Sequence, residues 1–241
     1  MALLRDVLEK QKFYPGILGV FVNPFFFARR ELMKNISKCS VLLHGKLLDV
    51  GCGRKPYKRM FRNVTEYIGM DIENPGHDHS EEDIDVFYDG KIFPFPDHHF
   101  DSVLTNQVLE HVFNPTEFLS EINRVLKPNG YLLLTVPFIW DEHEQPFDYG
   151  RYSSFGIKHI LVQNNFQVLE YSKSCQGTKA IFQLINLHIY KKFFSKNRLL
   201  RLILTILLIS PFTILGISLS WFGKANSDLF LDNVVLARKV N

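Results

Sequence analysis

The segment Lys46-Leu47-Leu48-Asp49-Val50 ends abruptly at Gly51-Cys52-Gly53. A short apolar run that stops at glycines predicts a buried β-strand entering a tight turn. Glycine permits a positive φ and lets a ligand approach the backbone, because it has no Cβ. In an open parallel sheet, ligands bind beyond the carboxyl ends of the strands. This segment therefore predicts a strand that leads directly into a ligand site.

Strand-like and helix-like patterns alternate along the rest of the chain. Apolar runs predict further strands at 67–71, 86–89, 100–105, 131–137, 166–171 and 232–240. Helical periodicity predicts helices at 25–40, 108–126 and 153–165. Such alternation indicates an α/β fold. We expect a Rossmann-like doubly wound sheet, mostly parallel with an antiparallel last strand, plus an N-terminal helix and a hydrophobic helical insertion.

The length of 241 residues suits one α/β domain with an appendage. We predict an N-terminal helical segment (1–44), a core domain (45–176), a helical insertion (177–228) and a closing strand of the core sheet (229–241).

Charge and cysteine content exclude several classes of protein. A net charge of +3, without a long basic stripe, argues against a nucleic-acid partner. Cys39, Cys52 and Cys175 lie far apart, which is not the paired spacing of a zinc site, so we predict no metal. Arg5 and Asp6 precede any apolar run, unlike a secretion signal. We expect a cytoplasmic protein that acts on a small molecule or glycan.

Asp71 ends the second predicted strand, 22 residues after Asp49. This is close to the ~20-residue spacing of an acid that binds ribose hydroxyls. A dinucleotide site would add a third glycine to seat a pyrophosphate on the following helix, but that position is Pro56. The pattern favours a cofactor without a pyrophosphate, although Gly51 and Gly53 alone would also fit a structural turn.

The ordered set of motifs resembles class I S-adenosylmethionine-dependent methyltransferases. Residues 47–53 are similar to the first motif of that family, and residues 68–71 are similar to the second. The small-molecule branch of the family is matched further at 94–97, 100–101, 108–112 and 124–130. Asn129 stands where glycine is usual. The resemblance covers about residues 45–172 and implies S-adenosyl-L-methionine as the cofactor.

The resemblance also implies individual roles. The cofactor-binding residues would be Asp49, Gly51, Cys52, Gly53, Asp71, Ile72, Asp89, Asn106 and Gln107. Asp49 and the glycines would line the methionine part, and Asp71 would hold the ribose. Asp89 would meet the adenine amino group, with Asp85 as the alternative. Asn106 and Gln107 would flank the sulfonium, while His111 in this motif is more often structural than catalytic.

The predicted loop at 138–152 is dense in imidazole, carboxylate and aromatic groups. His143 is the candidate general base, because imidazole titrates near neutral pH. The candidate acceptor-binding residues are Glu144, Asp148, Arg151 and Tyr152. A packed lid, whose polar groups bond one another, is an equal alternative. A metal site built from Glu142, His143, Glu144 and Asp148 is disfavoured, because neighbouring loop residues rarely converge on one ion.

Several short motifs, including 55–57, 88–91 and 143–152, resemble bacterial methyltransferases of surface-glycan or lipid-linked saccharide assembly. This implies O-methylation of a saccharide or a lipid-linked small molecule. A non-catalytic, methyltransferase-like scaffold at the membrane is one alternative. A nucleotide-dependent oxidoreductase or epimerase is another, disfavoured by Pro56 and by the lack of a suitable Tyr-x-x-x-Lys pair.

The stretch 199–222 is strongly apolar and is interrupted by Pro211. Proline removes a helix hydrogen bond, so we expect two short helices forming a hairpin that enters one leaflet. Lys191, Lys192, Lys196, Arg198 and Arg201 form a basic flank that favours anionic lipid. We therefore expect peripheral association with the inner face of the cell membrane. A helical cap or a homodimer interface is the alternative.

Overall fold

A computed structural model describes residues 2–72, 83–222 and 226–240 of the protein. Within these ranges the helices are α1 (Ala2–Phe13), α2 (Gly19–Val22), α3 (Phe26–Ser40), α4 (Pro115–Val125), α5 (Ser154–Gln163), α6 (Thr178–Lys192), α7 (Arg198–Leu204) and α8 (Ser210–Leu219). The strands are β1 (Gly45–Val50), β2 (Val64–Ile72), β3 (Val86–Tyr88), β4 (Phe100–Asn106), β5 (Leu126–Pro137), β6 (Phe166–Gln176) and β7 (Phe230–Lys239).

The strands form one seven-stranded sheet in the order β3-β2-β1-β4-β5-β7-β6. β1 pairs in parallel with both β2 and β4, whereas β7 runs antiparallel to β5. The predicted α/β, Rossmann-like fold with an antiparallel last strand is confirmed. The chain order reverses between β1 and β4, and a doubly wound sheet binds ligands at such a switch point.

The central strands are apolar because both of their faces are covered. Leu48, Val50, Leu104, Leu132 and Leu134 are each at most 1% exposed. The buried residues of helices α4 and α5 lie in one core cluster with Leu48, Val50, Leu132 and Leu134. This packing fixes the carboxyl ends of β1, β2 and β4, where the predicted cofactor residues lie.

The helix predicted at 108–126 is wrong at its N-terminal end. A 3₁₀ turn covers Leu109–His111, and α4 begins only at Pro115. Proline disfavours a helical conformation in the residue before it, and it suits the first turn of a helix. The break leaves Glu110 and His111 on a short turn directly after β4.

Two compact units divide the chain, one made of Met1–Lys34 with Lys173–Leu231 and the other of Asn35–Ser172 with Asp232–Asn241. The second unit holds the predicted cofactor residues. Within the first unit, the Gln183 side chain accepts hydrogen bonds from the Phe27 and Ala28 N–H groups at 3.1 and 3.2 Å.

The expected hairpin within 199–222 is wrong, because Arg198–Leu219 is one continuous helical segment. A π-turn at Thr205–Ile209 directly precedes α8, which has Pro211 in its first turn. The wider turn accommodates Pro211, which has no N–H to donate to the preceding turn, and the helix therefore continues. This segment packs against α6, where Asn186 Nδ2 donates to Thr213 Oγ1 at 2.9 Å, and against α2.

Candidate active site

A pocket of about 1170 Å³ opens at the carboxyl ends of β1, β2 and β4. Gly51, Gly53, Asp71, Ile72 and Gln107 form its wall on the sheet side. The pocket then continues to His111, Phe113, Glu144, Phe147 and Tyr149. One cavity therefore connects the predicted cofactor residues with part of the predicted acceptor loop.

The turn after β1 requires glycine for two reasons. Gly51 and Gly53 have φ angles of +71° and +45°, which disfavour other residues. A Cβ on Gly51 would also lie 2.3 Å from Cγ2 of Val108. The turn thus presents bare backbone to the pocket, while Cys52 between the two glycines is buried at 3% exposure.

Asp71 occupies the end of β2 beside this turn. Its Oδ2 accepts a hydrogen bond from the Gly53 N–H at 2.9 Å, and its Oδ1 accepts one from the Ile72 N–H at 2.8 Å. Carboxylate oxygens can accept more than one hydrogen bond each, so this arrangement is compatible with hydrogen bonds from two ribose hydroxyls.

Asp49 lies behind the glycine turn at 4% exposure and accepts a hydrogen bond of 2.5 Å from the Tyr67 hydroxyl. Burial raises the pKa of Asp49 to about 7, and the nearby negative charge of Asp71 acts in the same direction. The protonation state of Asp49 therefore changes near neutral pH.

The structure distinguishes the two candidates for the adenine contact. Asp85 accepts hydrogen bonds from Lys55 Nζ at 2.6 Å and from the Gly69 N–H at 2.7 Å. Asp89 is exposed at the end of β3, where its chain neighbours Tyr88 and Gly90 line the pocket. This placement favours Asp89, whose contact with adenine stays a prediction.

Asn106 is the last residue of β4, and Gln107 directly follows it. Asn106 Oδ1 accepts a hydrogen bond from Thr135 Oγ1 at 2.9 Å. Gln107 has a φ of +58° and lines the pocket. Of these two residues, Gln107 is the one that faces the cavity.

The loop after β5 is braced by its own ion pair. Arg151 donates to both oxygens of Asp148, at 2.5 and 2.7 Å, and to the Asp141 carbonyl at 2.9 Å. Hydrogen bonding from Arg151 lowers the pKa of Asp148 to about 2. The Tyr152 carbonyl accepts a hydrogen bond from Asn233 Nδ2 at 2.7 Å. These contacts favour a bracing role for Asp148 and Arg151 over direct binding of the acceptor.

His143 and Glu144 lie in the same loop but face different surroundings. Glu144 is exposed and lines the pocket. His143 is half-buried, with its Nε2 4.0 Å from Oε1 of Glu110. Its role as a general base stays a prediction.

Comparison with known proteins identifies the family. Residues 26–171, more than half of the chain, match the family described as "Methyltransferase domain". The chain belongs to this family. The cofactor that this family implies is S-adenosyl-L-methionine.

Two sequence relatives come from mycobacteria. A fatty-acid O-methyltransferase of Mycolicibacterium smegmatis is 37% identical over 101 residues, which cover 37% of this chain and 36% of the relative. A phthiotriol/phenolphthiotriol dimycocerosates methyltransferase of Mycobacterium ulcerans is 34% identical over 105 residues, which cover 39% of each. The matched segments thus span little more than a third of either relative.

A solved structure shows the same fold. Phosphoethanolamine N-methyltransferase 2 of Haemonchus contortus, in complex with S-adenosyl-L-methionine, aligns with a TM-score of 0.52 at 17% identity. The alignment covers 96% of this chain and 59% of that one. At this identity the likeness concerns the fold alone.

The pocket fits S-adenosyl-L-methionine. The bare backbone at Gly51 and Gly53 leaves room for the methionine part, and Asp71 offers acceptors to a ribose. Pro56 follows the turn where a pyrophosphate site would need glycine. These features fit a cofactor that has an adenosine but no pyrophosphate.

Several residues of the candidate site were not predicted from the sequence. Tyr67, which donates to Asp49, lies within β2 and has no motif signature. Phe113, Phe147 and Tyr149 line the outer pocket, although aromatic residues in loops gave no specific signal. Glu110 lies within the predicted motif at 108–112, where it has no assigned role, yet it is 0% exposed. A charged residue within an otherwise apolar run was the available signal for Glu110.

The raised pKa of Asp49 predicts a specific dependence of stability on pH. The folded protein holds the Asp49 proton up to about pH 7, whereas the unfolded chain releases it near pH 4. The resulting stabilisation is present below pH 4 and is lost as the pH rises to about 7. Relative to Asp49→Asn, the wild type should lose up to ~1.4 kcal/mol of unfolding free energy per pH unit in this range.

Urea unfolding of both proteins from pH 4.5 to pH 8 measures this difference. The Asp49→Asn variant keeps an acceptor for the Tyr67 hydroxyl and removes the titration. Parallel pH profiles for the two proteins would show that Asp49 keeps an ordinary pKa.

Proposed function

We propose that this protein transfers a methyl group from S-adenosyl-L-methionine to an oxygen atom of a lipid or lipid-linked small molecule. The supporting observation is the single pocket that runs from Asp71 to an aromatic outer end at Phe113, Phe147 and Tyr149. When bound, the cofactor supplies an electrophilic methyl group on a positively charged sulfur. The chain then has to hold an acceptor oxygen near that methyl group and exclude water.

The outer end of the pocket is suited to apolar acceptor groups. The Phe113 and Tyr149 rings pack edge to face with centroids 5.3 Å apart, although Phe113 is 75% exposed. Exposed aromatic side chains beside a cavity indicate a surface that a ligand covers. The fatty-acid O-methyltransferase among the relatives is consistent with an acyl group here. A saccharide on a lipid carrier fits the same surface, because sugar rings also pack on aromatic faces.

The nature of the acceptor decides whether a base is needed. A carboxylate is already ionised at neutral pH, whereas a hydroxyl must lose a proton during the reaction. His143, the predicted base, lies in the braced loop after β5, and Glu144 reaches the pocket from the same loop. We propose that this loop positions the acceptor, with Asp148 and Arg151 holding its shape.

Transfer of tritiated methyl groups to an acceptor panel tests the proposal. Fatty acids and lipid-linked saccharides should accept label, whereas free saccharides should not. The Phe113→Ala variant should raise KM for the accepted lipid about tenfold with little change in kcat, since ~1.4 kcal/mol of apolar contact is lost.

Phe155→Ala is the matched control, because Phe155 is an 83% exposed phenylalanine in α5 that is not among the pocket residues. Equal labelling of free saccharides, or equal effects of the two substitutions, would contradict the lipid proposal.

We further propose that the protein acts at the inner face of the membrane. Arg198–Leu219 is, within the described ranges, the one helix long and apolar enough to cross a membrane, with a mean hydropathy of 2.4 and 28% of it buried. The low burial distinguishes this segment from the core helix of a globular domain. Trp221 and Phe222 follow it at 82% and 77% exposure.

Peripheral binding agrees with the contacts better than spanning does. The Gly177 N–H donates to the Leu229 carbonyl at 2.8 Å, so the two ends of the segment 177–229 lie side by side. A helix that crossed the membrane once would separate these two ends. Lys191 and Lys192 end α6, and Arg198 and Arg201 begin the apolar helix. Apolar side chains beside a basic flank favour an anionic lipid surface.

Co-sedimentation with vesicles containing phosphatidylglycerol tests this proposal. Leu207→Glu, at a residue that is 64% exposed on the apolar helix, should lower vesicle affinity at least about tenfold. Val162→Glu, at a residue that is 57% exposed in α5, is the control and should bind as the wild type does. Failure of the wild type to bind vesicles, with a dimer seen by size-exclusion chromatography, would support the homodimer alternative instead.

A further inference from the structure

Three metal-ligating side chains converge beside the acceptor end of the pocket. Glu110 and His111 come from the 3₁₀ turn after β4, and His143 comes from the loop after β5. One ligand atom from each residue lies within 4.8 Å of the other two. We propose that Glu110, His111 and His143 bind a divalent first-row transition-metal ion, with zinc as the reference case.

Glu110 provides the strongest observation. Its side chain is 0% exposed, and neither carboxyl oxygen accepts a hydrogen bond from another described residue. A buried carboxyl group without a partner is costly, and most buried polar groups are hydrogen-bonded or coordinate a metal. The two nearest basic atoms are Nε2 of His111 at 3.9 Å and Nε2 of His143 at 4.0 Å. These distances are too long for hydrogen bonds, but a cation between the three groups would satisfy all of them.

Both imidazoles are oriented for metal binding. Nδ1 of His111 lies 2.8 Å from the Phe147 carbonyl, and Nδ1 of His143 lies 3.2 Å from the Asp141 carbonyl. A carbonyl can only accept a hydrogen bond, so each ring carries its proton on Nδ1. The lone pair is then on Nε2, which faces Glu110 in both cases. Metal-binding histidines usually have this outer-shell arrangement.

The spacing of the ligand atoms is close to that of a bound ion. Tetrahedral zinc, with bonds of about 2.0–2.2 Å, holds its ligand atoms ~3.3 Å apart. Shifts of roughly 0.5 Å in each side chain would bring the three atoms to that spacing. Two imidazoles and one carboxylate suit zinc, iron or cobalt rather than magnesium or calcium.

The protein backbone holds the two ligand-bearing segments together. The Glu110 carbonyl accepts hydrogen bonds from the Tyr149 and Gly150 N–H groups at 2.8 and 3.1 Å. His143 is fixed through its own N–H, which donates to Asp148 at 3.0 Å. The three ligands are thus preorganised by contacts that do not involve the ion.

The location of the cluster suggests what the ion would do. His111 lines the pocket, and three protein ligands leave a coordination position open. An acceptor oxygen that enters from the pocket could occupy that position. The ion would then hold and polarise the acceptor oxygen, which would make this cluster the acceptor-binding centre.

Cobalt titration of the tag-free, full-length protein tests the site after dialysis against a chelator. Cobalt reports its coordination through visible absorption, and zinc should displace it. We expect one equivalent to bind. Glu110→Gln and His143→Ala should each weaken the binding by about 100-fold or more, since even outer-shell changes cost 10- to 100-fold.

Glu142→Gln and His159→Ala replace exposed residues of the same types and should bind cobalt as the wild type does. Glu110→Gln replaces the buried carboxyl group with an isosteric amide, so it should fold, and zinc should raise the Tm of the wild type but not of this variant. Substoichiometric cobalt in the wild type, or unchanged binding in both ligand variants, would overturn the proposal. The metal readout is independent of methyl transfer.

Discussion

The hydrogen bond from the Gly53 N–H to the Asp71 carboxylate joins the ends of β1 and β2 beside the switch point of the sheet. It depends on a turn whose φ angles only glycine adopts readily, and on the absence of a Cβ that would meet Val108. The buried central strands hold both ends in place. The position of the carboxylate, the bare backbone and the pocket entrance all follow from this one contact.

At the acceptor end of the pocket, a buried residue, Glu110, fixes the position of the loop after β5. Glu110 holds the loop after β5 through its backbone carbonyl, while its side chain faces two imidazoles. The ion pair between Asp148 and Arg151 stiffens the same loop. The acceptor side is therefore rigid near the sheet and apolar at its exposed rim.

The fold and the cofactor edge could be predicted from sequence because their signals are local. The strand and its glycine turn at 47–53, and Asp71 after β2, are contiguous patterns with a direct physical meaning. The helix predicted at 108–126 begins too early, because the apolar periodicity continues to the N-terminal side of Pro115, where the helix begins. The break expected at Pro211 is absent, because a π-turn before this residue lets the helix continue through the proline.

The acceptor side could not be predicted in the same way. Sequence spacing disfavours a metal site at the three cysteines, which lie far apart, and at Glu142, His143, Glu144 and Asp148, which are neighbours in one loop. The cluster found in the structure joins His143 to Glu110 and His111, which are more than 30 positions away. Such a contact depends on how β4 and β5 pair, and no spacing within the sequence reports it.

Calorimetric titration with S-adenosylhomocysteine tests the central claim most directly, with NAD as the control ligand. We predict micromolar binding of S-adenosylhomocysteine and none of NAD. Asp71→Ala should weaken the binding at least about tenfold, because each hydrogen bond to a charged group contributes about 1.5–3 kcal/mol. Absence of binding, binding of NAD instead, or unchanged affinity in Asp71→Ala would contradict this account of the site.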